Sequence, residues 1–102
     1  MEYNKLVRDN IPALMEAQGK HPQTRILSKE EYTRCLEGKL DEETAEFHGD
    51  HTLEELADIL EVVLALAEDM GCSAEALMEV YNRKHDARGG FRDRVFLIRD
   101  DT

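Results

Sequence analysis

The sequence predicts an all-α fold, a helical bundle in a single domain. Three observations carry that expectation: apolar side chains recur at helical spacing along most of the chain, Ser and Thr stand where helix N-caps are needed, and glycines separate the periodic stretches. A chain of 102 residues matches one domain that buries roughly two thirds of its unfolded surface. No repeat, linker or low-complexity stretch divides residues 1–102.

The elements follow in order. Leu6, Val7, Ile11, Leu14 and Met15 fall at helical spacing, and Pro12, which suits a first helical turn, places a helix start near Asn10 and an end at Gly19. Thr24 to Leu27 reads as a short strand. Ser28 with Glu31 forms a capping box that opens a long helix running to about His48. Gly49-Asp50-His51-Thr52 reads as a tight break, and Thr52 with Glu55 as a second box opening a helix from Leu53 to Met70. Ser73 caps a further helix that runs to about Arg88 and stops at Gly89-Gly90. The tail RVFLIR, from Arg94 to Arg99, suggests a small two-stranded ribbon between residues 95–99 and 24–27.

Composition narrows the function classes. Charged residues make up 35 % of the chain and the net charge is -10, so the chain should repel polyanions, and a nucleic acid polymer is an unsuitable partner. The start, MEYNKLVRDN, lacks the apolar stretch of a secretory signal, and the longest apolar run, Val62 to Ala67, is too short to span a bilayer. The expectation is therefore a cytoplasmic protein with no membrane association. Cys35 and Cys72 stand in no metal or redox spacing and read as buried small hydrophobes. The apolar positions of Leu53 to Met70 cover well over half of the helix circumference, more than short neighbours can bury. A homodimer or homotetramer follows from that pattern.

The acids carry the chemistry. On the helix from Ser28, Tyr32, Leu36, Leu40 and Phe47 lie on one stripe with Cys35 at its edge; Glu43 sits in the middle of it, and Glu46 and Lys39 flank it. On the next helix, Glu54, Glu61 and Glu68 recur every seven residues on the polar side, whereas Glu55 shares an arc with Ile59, Val62 and Leu66, and Asp58 lies beside it. With a connection of about four residues the two helices should run antiparallel, axes roughly 8–10 Å apart. Counting outward from the turn sets Glu46 level with Glu55 and Glu43 level with Asp58.

Four ionised carboxylates in one interhelical gap repel each other and cost several kcal/mol each to desolvate, about the magnitude general for buried ions. Protons or cations must compensate them. An all-oxygen donor set favours hard ions, Mg²⁺ first and Mn²⁺ second, and such ions convert an acidic pocket into one that accepts phosphate. On the helix from Ser73, the stripe of Leu77, Met78 and Tyr81 continues into Lys84, His85 and Arg88, a cationic edge suited to polyphosphate.

Lys39-Leu40-Asp41-Glu42-Glu43-Thr44-Ala45-Glu46, followed by Glu55-Leu56-Ala57-Asp58, resembles the E-E-x-x-E and E-x-x-D halves of the all-α nucleoside triphosphate pyrophosphohydrolases, the MazG-like and phosphoribosyl-ATP pyrophosphohydrolase enzymes. Asn82-Arg83-Lys84 and Arg88-Gly89-Gly90-Phe91 are similar to that family's N-x-K and R-G-G-F elements, and Tyr3 to Asp9 to the start of a small single-domain subgroup. The stretch between Glu46 and Glu55, residues 47–54, is eight residues long, shorter than is usual there. The resemblance implies Mg²⁺-dependent hydrolysis of a nucleoside triphosphate, or a phosphoribosyl-ATP-like nucleotide, to the monophosphate and pyrophosphate, in nucleotide-pool house-cleaning. It further implies that Glu43, Glu46, Glu55 and Asp58 hold the metal and that Glu42 orients or deprotonates the water. Lys84, Arg88 and Asn82, with Lys5 and Arg8, would bind the substrate.

Plainer readings compete at each position. Glu55 could be no more than the N3 acid of a capping box, Asp58 an acid favoured by the helix dipole, and Glu42 an exposed residue at the stripe's edge. Lys84 and Arg88 could be C-terminal cations on the dipole. A di-iron bundle is a weak alternative, because no histidine has a glutamate three residues before it. A non-catalytic helical adaptor or regulatory subunit fits the apolar surface as well as an enzyme does, and it would need none of these acids.

Overall fold

Three of the four helices start behind side-chain caps that the sequence supplies. In the computed structural model, which describes residues 2–102, α1 spans Ile11–Ala17, α2 Lys29–Asp50, α3 Leu53–Asp69 and α4 Ala74–Arg88. The fold is an all-α bundle, as the periodicity requires. At the head of α2, Ser28 Oγ accepts from the Glu31 N–H at 3.2 Å and the Glu31 carboxylate accepts from the Ser28 N–H at 3.1 Å, completing the box. Arg25 donates to both oxygens of the same carboxylate, at 3.1 and 2.8 Å. These bonds, the Arg25 pair foremost, hold Glu31 at a pKa of about 2 against its ordinary 4.5. Its contribution to stability is full above 4.5 and is lost as the pH falls toward 2. Ser28→Ala should cost about 1 kcal/mol, read as a lower urea midpoint at unchanged slope; an unmoved midpoint would show that Arg25 alone organises this end.

The break between α2 and α3 is shorter than expected. α2 continues through Gly49 and Asp50, leaving only His51 and Thr52 as the connection. A helix stops where a residue takes positive φ, and His51 does so at 53°, a conformation that His tolerates better than most residues. Its N–H donates to the Phe47 carbonyl at 2.8 Å, and its ring lies 5.3 Å from the Phe47 ring. Gly49, with no need of positive φ, remains helical.

The short link makes α2 and α3 an antiparallel hairpin, and their packing dominates the fold. Leu36, at 3 % exposure, with Val62 and Ala67, forms the buried apolar core among the described residues. The far end of the hairpin is tied by Asp69, whose side chain is 5 % exposed and takes Lys29 Nζ at 2.7 Å and Thr33 Oγ1 at 2.6 Å. Those two donors, Lys29 first, lower its pKa. Anchored at both ends, the hairpin has one register.

The remaining elements are loosely attached. α4 packs on α3 through its first turn, where Ala74, Ala76 and Leu77 are half-buried; from Met78 onward the chain is exposed. α1 packs against no other helix among the described residues. It starts at Asn10 as expected but ends at Ala17, followed by a turn to Gly19 at φ 82°. The radius of gyration is 18.1 Å, against about 13 Å for a compact chain of 100 residues.

Two expectations fail. The ribbon between residues 24–27 and 95–99 does not form, and no strand exists among the described residues. A pair so far apart in sequence carries a large closure entropy and would have no third strand or helix to cover it. Arg25 instead serves the α2 cap. Of the cysteines, both free, Cys35 is half-buried while Cys72 is exposed, so only the first approaches the buried role. Among the described residues no helix is long and apolar enough to cross a membrane.

Candidate metal centre

Glu43 lies on the α3-facing stripe of α2, and its side chain is only 12 % exposed. Thr52 Oγ1 accepts from the Glu55 N–H at 3.2 Å, but the Glu55 carboxylate does not return the bond, so the second capping box is half made. That carboxylate is thereby left free to turn toward α2. Glu43, Glu55 and Asp58 each place a carboxylate oxygen within 4.8 Å of the others. Glu43 Oε2 and Glu55 Oε2 are buried and have no hydrogen-bond partner.

The electrostatics agree with the geometry. Burial, first, and the nearby carboxylates of Glu46 and Asp58, second, push the Glu43 pKa up, opposed by Lys39. Glu55 is raised by the same causes in the same order, with Asp50 adding to them. Glu46, although exposed, stands close enough to interact with both Glu43 and Glu55. Of the four acids expected from the hairpin count, Glu43, Glu55 and Asp58 come together, and Glu46 stands exposed beside them.

Cations reach the rim. Lys39 Nζ lies 3.2 Å from Glu42 and 3.8 Å from Glu43. Arg8 comes from the segment ahead of α1 to meet Asp58 at 2.6 Å and Glu61 at 3.7 Å. Glu42 is at the edge, its side chain 41 % exposed. Lys5 stands 6.0 Å from the Tyr3 ring centroid instead, in a cation–π contact. Asn82, Lys84 and Arg88 occupy the exposed part of α4; Lys84 and Arg88 line a shallow recess with Val80, Arg83 and Ala87, in which none of the acids takes part. α4 does not pack on α2, so this chain alone does not gather its α4 cations beside its acids.

Sequence reasoning assigned Glu61 to an ordinary solvated face and missed its pairing with Arg8. No local signal marks that pair, since the two residues meet only through tertiary packing. Asp69 was also missed. The register that sets Glu43 against Asp58 brings Thr33 level with Glu68, one residue short of Asp69, so counting along the hairpin does not single Asp69 out.

A divalent ion fits the donor set. Ligand oxygens at about 2.1 Å from Mg²⁺ lie roughly 3–4 Å from one another, so small side-chain rotations would bring these oxygens onto one ion. The two orphaned oxygens would gain the partner that burial otherwise denies them.

No family model matches the chain, and no solved structure matches it. A stretch of 48 residues is 50 % identical to an uncharacterized protein of Mycolicibacterium smegmatis, covering 47 % of this chain and 49 % of that protein. The chain is therefore similar, over about half the length of each, to a curated relative of undefined activity.

Proposed function

We propose that the chain is a divalent-metal-dependent nucleoside triphosphate pyrophosphohydrolase, acting in the cytoplasm on the nucleotide pool. The observation that supports this reading best is the pair of buried, partnerless oxygens of Glu43 and Glu55 turned toward Asp58. Glu43, Glu55 and Asp58, with Glu46 beside them, would hold Mg²⁺, or Mn²⁺ in its place. Bound there, the ion supplies charge neutralisation and polarises phosphate oxygens. Glu42, kept near Glu43 by their shared neighbour Lys39, orients the attacking water and accepts its proton, and cleavage between the α- and β-phosphates releases pyrophosphate.

The cations have separable roles. Arg8 bonds Asp58 and fixes the outer wall of the site; a triphosphate would compete for the same guanidinium. Lys84, Arg88 and Asn82 face solvent, and in the proposed homodimer or homotetramer they are free to serve a neighbouring copy's nucleotide. Lys5 is a peripheral phosphate contact. The open shape of the single chain and its exposed apolar side chains support self-assembly. They also favour a second reading, a non-catalytic helical adaptor or regulatory subunit.

A nucleotide panel separates the two readings. Purified chain incubated with Mg²⁺ and nucleoside triphosphates, or phosphoribosyl-ATP, should release pyrophosphate and the matching monophosphate. Absence of release, together with a melting temperature indifferent to Mg²⁺, would favour the adaptor.

A further inference from the structure

The two oxygens of each acid in the centre have different surroundings. Lys39 Nζ stands 3.8 Å from Oε1 of Glu43, while Oε2 of the same carboxylate is buried and has no partner. Arg8 Nη2 donates to Oδ1 of Asp58 at 2.6 Å, which leaves Oδ2. Glu55 adds the other partnerless oxygen, its buried Oε2.

The two cations come from separate parts of the chain. Lys39 lies one turn before Glu43 on α2, and Arg8 belongs to the segment ahead of α1. A lysine that served only the surface of α2 would carry its ammonium out into water. The Lys39 side chain is instead 17 % exposed and stands between Glu42 and Glu43.

Cations placed in this way control how a carboxylate can bind a metal. A carboxylate gives an ion both oxygens only if both are free, and an ammonium or guanidinium on the outer one confines it to a single bond. Ca²⁺ takes roughly six to eight oxygens at about 2.3–2.6 Å and accepts bidentate carboxylates, whereas Mg²⁺ keeps octahedral geometry at about 2.0–2.1 Å and retains water where the protein supplies no ligand. Glu43, Glu55 and Asp58 with one oxygen each, and Glu46 beside them, suit the smaller ion.

We propose that Lys39 and Arg8 determine the metal selectivity of the centre: by occupying the outer oxygens of Glu43 and Asp58 they hold both carboxylates to one bond each and so favour Mg²⁺ over Ca²⁺. The inference rests on the reading of these acids as a metal centre, and it adds which residues decide the ion. Both are positioning residues, since each acts on the metal through a carboxylate.

Calorimetric titration of the metal-free chain with Mg²⁺ and, separately, with Ca²⁺, in the absence of nucleotide, tests the proposal. Wild type should bind Mg²⁺ at least about 10-fold more tightly than Ca²⁺, and in the double variant Lys39→Met with Arg8→Gln that preference should shrink by at least about 10-fold. The ratio is the informative quantity. Both ions carry the same charge, so the loss of nearby cations shifts the two affinities alike, and a loosened fold weakens both; a change in the number of carboxylate bonds moves one against the other. Lys39→Arg with Arg8→Lys retains both charges and should retain the wild-type ratio. Circular dichroism checks that each variant is folded. If the double variant is not, Lys39→Met and Arg8→Gln are measured singly, and each should lower the ratio by at least about 3-fold. A folded variant with an unchanged ratio, or a wild type that prefers Ca²⁺, would refute the selectivity role. A chain that binds neither ion would end the metal centre as well. One that shows the expected ratios yet releases no pyrophosphate would uphold the selectivity and end the hydrolase reading alone.

Discussion

Glu43→Gln is expected to lower Mg²⁺-dependent pyrophosphate release by at least about 10³-fold, while the metal-free protein melts higher than wild type. Both effects have one origin. The Glu43 carboxylate is nearly buried and its Oε2 has no partner, so its charge is unfavourable until a cation arrives and indispensable afterwards. An amide keeps the shape, removes the repulsion with Glu46 and Asp58, and supplies a donor to their oxygens. A stabilisation of ~1 kcal/mol corresponds to roughly 4–8 °C in a domain of this size. Glu54→Gln is the matched control, because Glu54 is exposed on the polar side of the same hairpin; it should change neither quantity. Retained activity in Glu43→Gln would remove the proposed centre, and a lower metal-free melting temperature would contradict the buried repulsion.

The second large effect is a reversal of pH dependence by metal. Glu43 and Glu55 have folded pKa values above the ordinary glutamate value of 4.5. Between 4.5 and those raised values the folded chain holds more protons than the unfolded chain, so these groups lower stability as the pH rises through the window and contribute no further change above it. Below 4.5 their gain is complete, and the loss of the Glu31 and Asp69 contacts begins to oppose it. Metal-free protein should therefore be more stable at mildly acidic pH than at neutrality. With Mg²⁺ the cation takes the place of the protons, so stabilisation by metal should grow from acidic to neutral pH and reach about 2.7 kcal/mol at a hundred times the dissociation constant. Melting curves across pH with Mg²⁺ and with chelator measure both slopes. Parallel curves that Glu43→Gln does not alter would refute the linkage.

The candidate site was legible to the extent that helical periodicity reports direction. Glu43 interrupts an apolar stripe and Glu55 shares one, so both were placed inward before any packing was known. Glu46 is subtler, being exposed yet close to both half-buried acids, Glu43 and Glu55; register along the hairpin located it, while burial alone would have discarded it. Glu42 matches the plainer reading in exposure and retains its role only through proximity to Glu43 and Lys39. The half-made box at Thr52 could not be read in advance, because the same Ser/Thr-x-x-Glu spacing gives a complete box at Ser28, and only the packing of α3 against α2 turns the Glu55 carboxylate away from its own cap.

Local chemistry, written in the sequence, determined the four helices, their caps at Ser28, Thr52 and Ser73, and the two classes of acid on α3. Those features depend on neighbours within a turn or two, which sequence spacing specifies directly. Only the tertiary structure decided that α2 runs on to His51, that Arg8 crosses to Asp58, that Asp69 locks the far end of the hairpin, and that the tail leaves residues 24–27 unpaired. The last three balance closure entropy and burial between segments distant in sequence, which no local pattern sets, whereas the end of α2 turns on the positive φ of His51, a conformation its residue type permits without requiring.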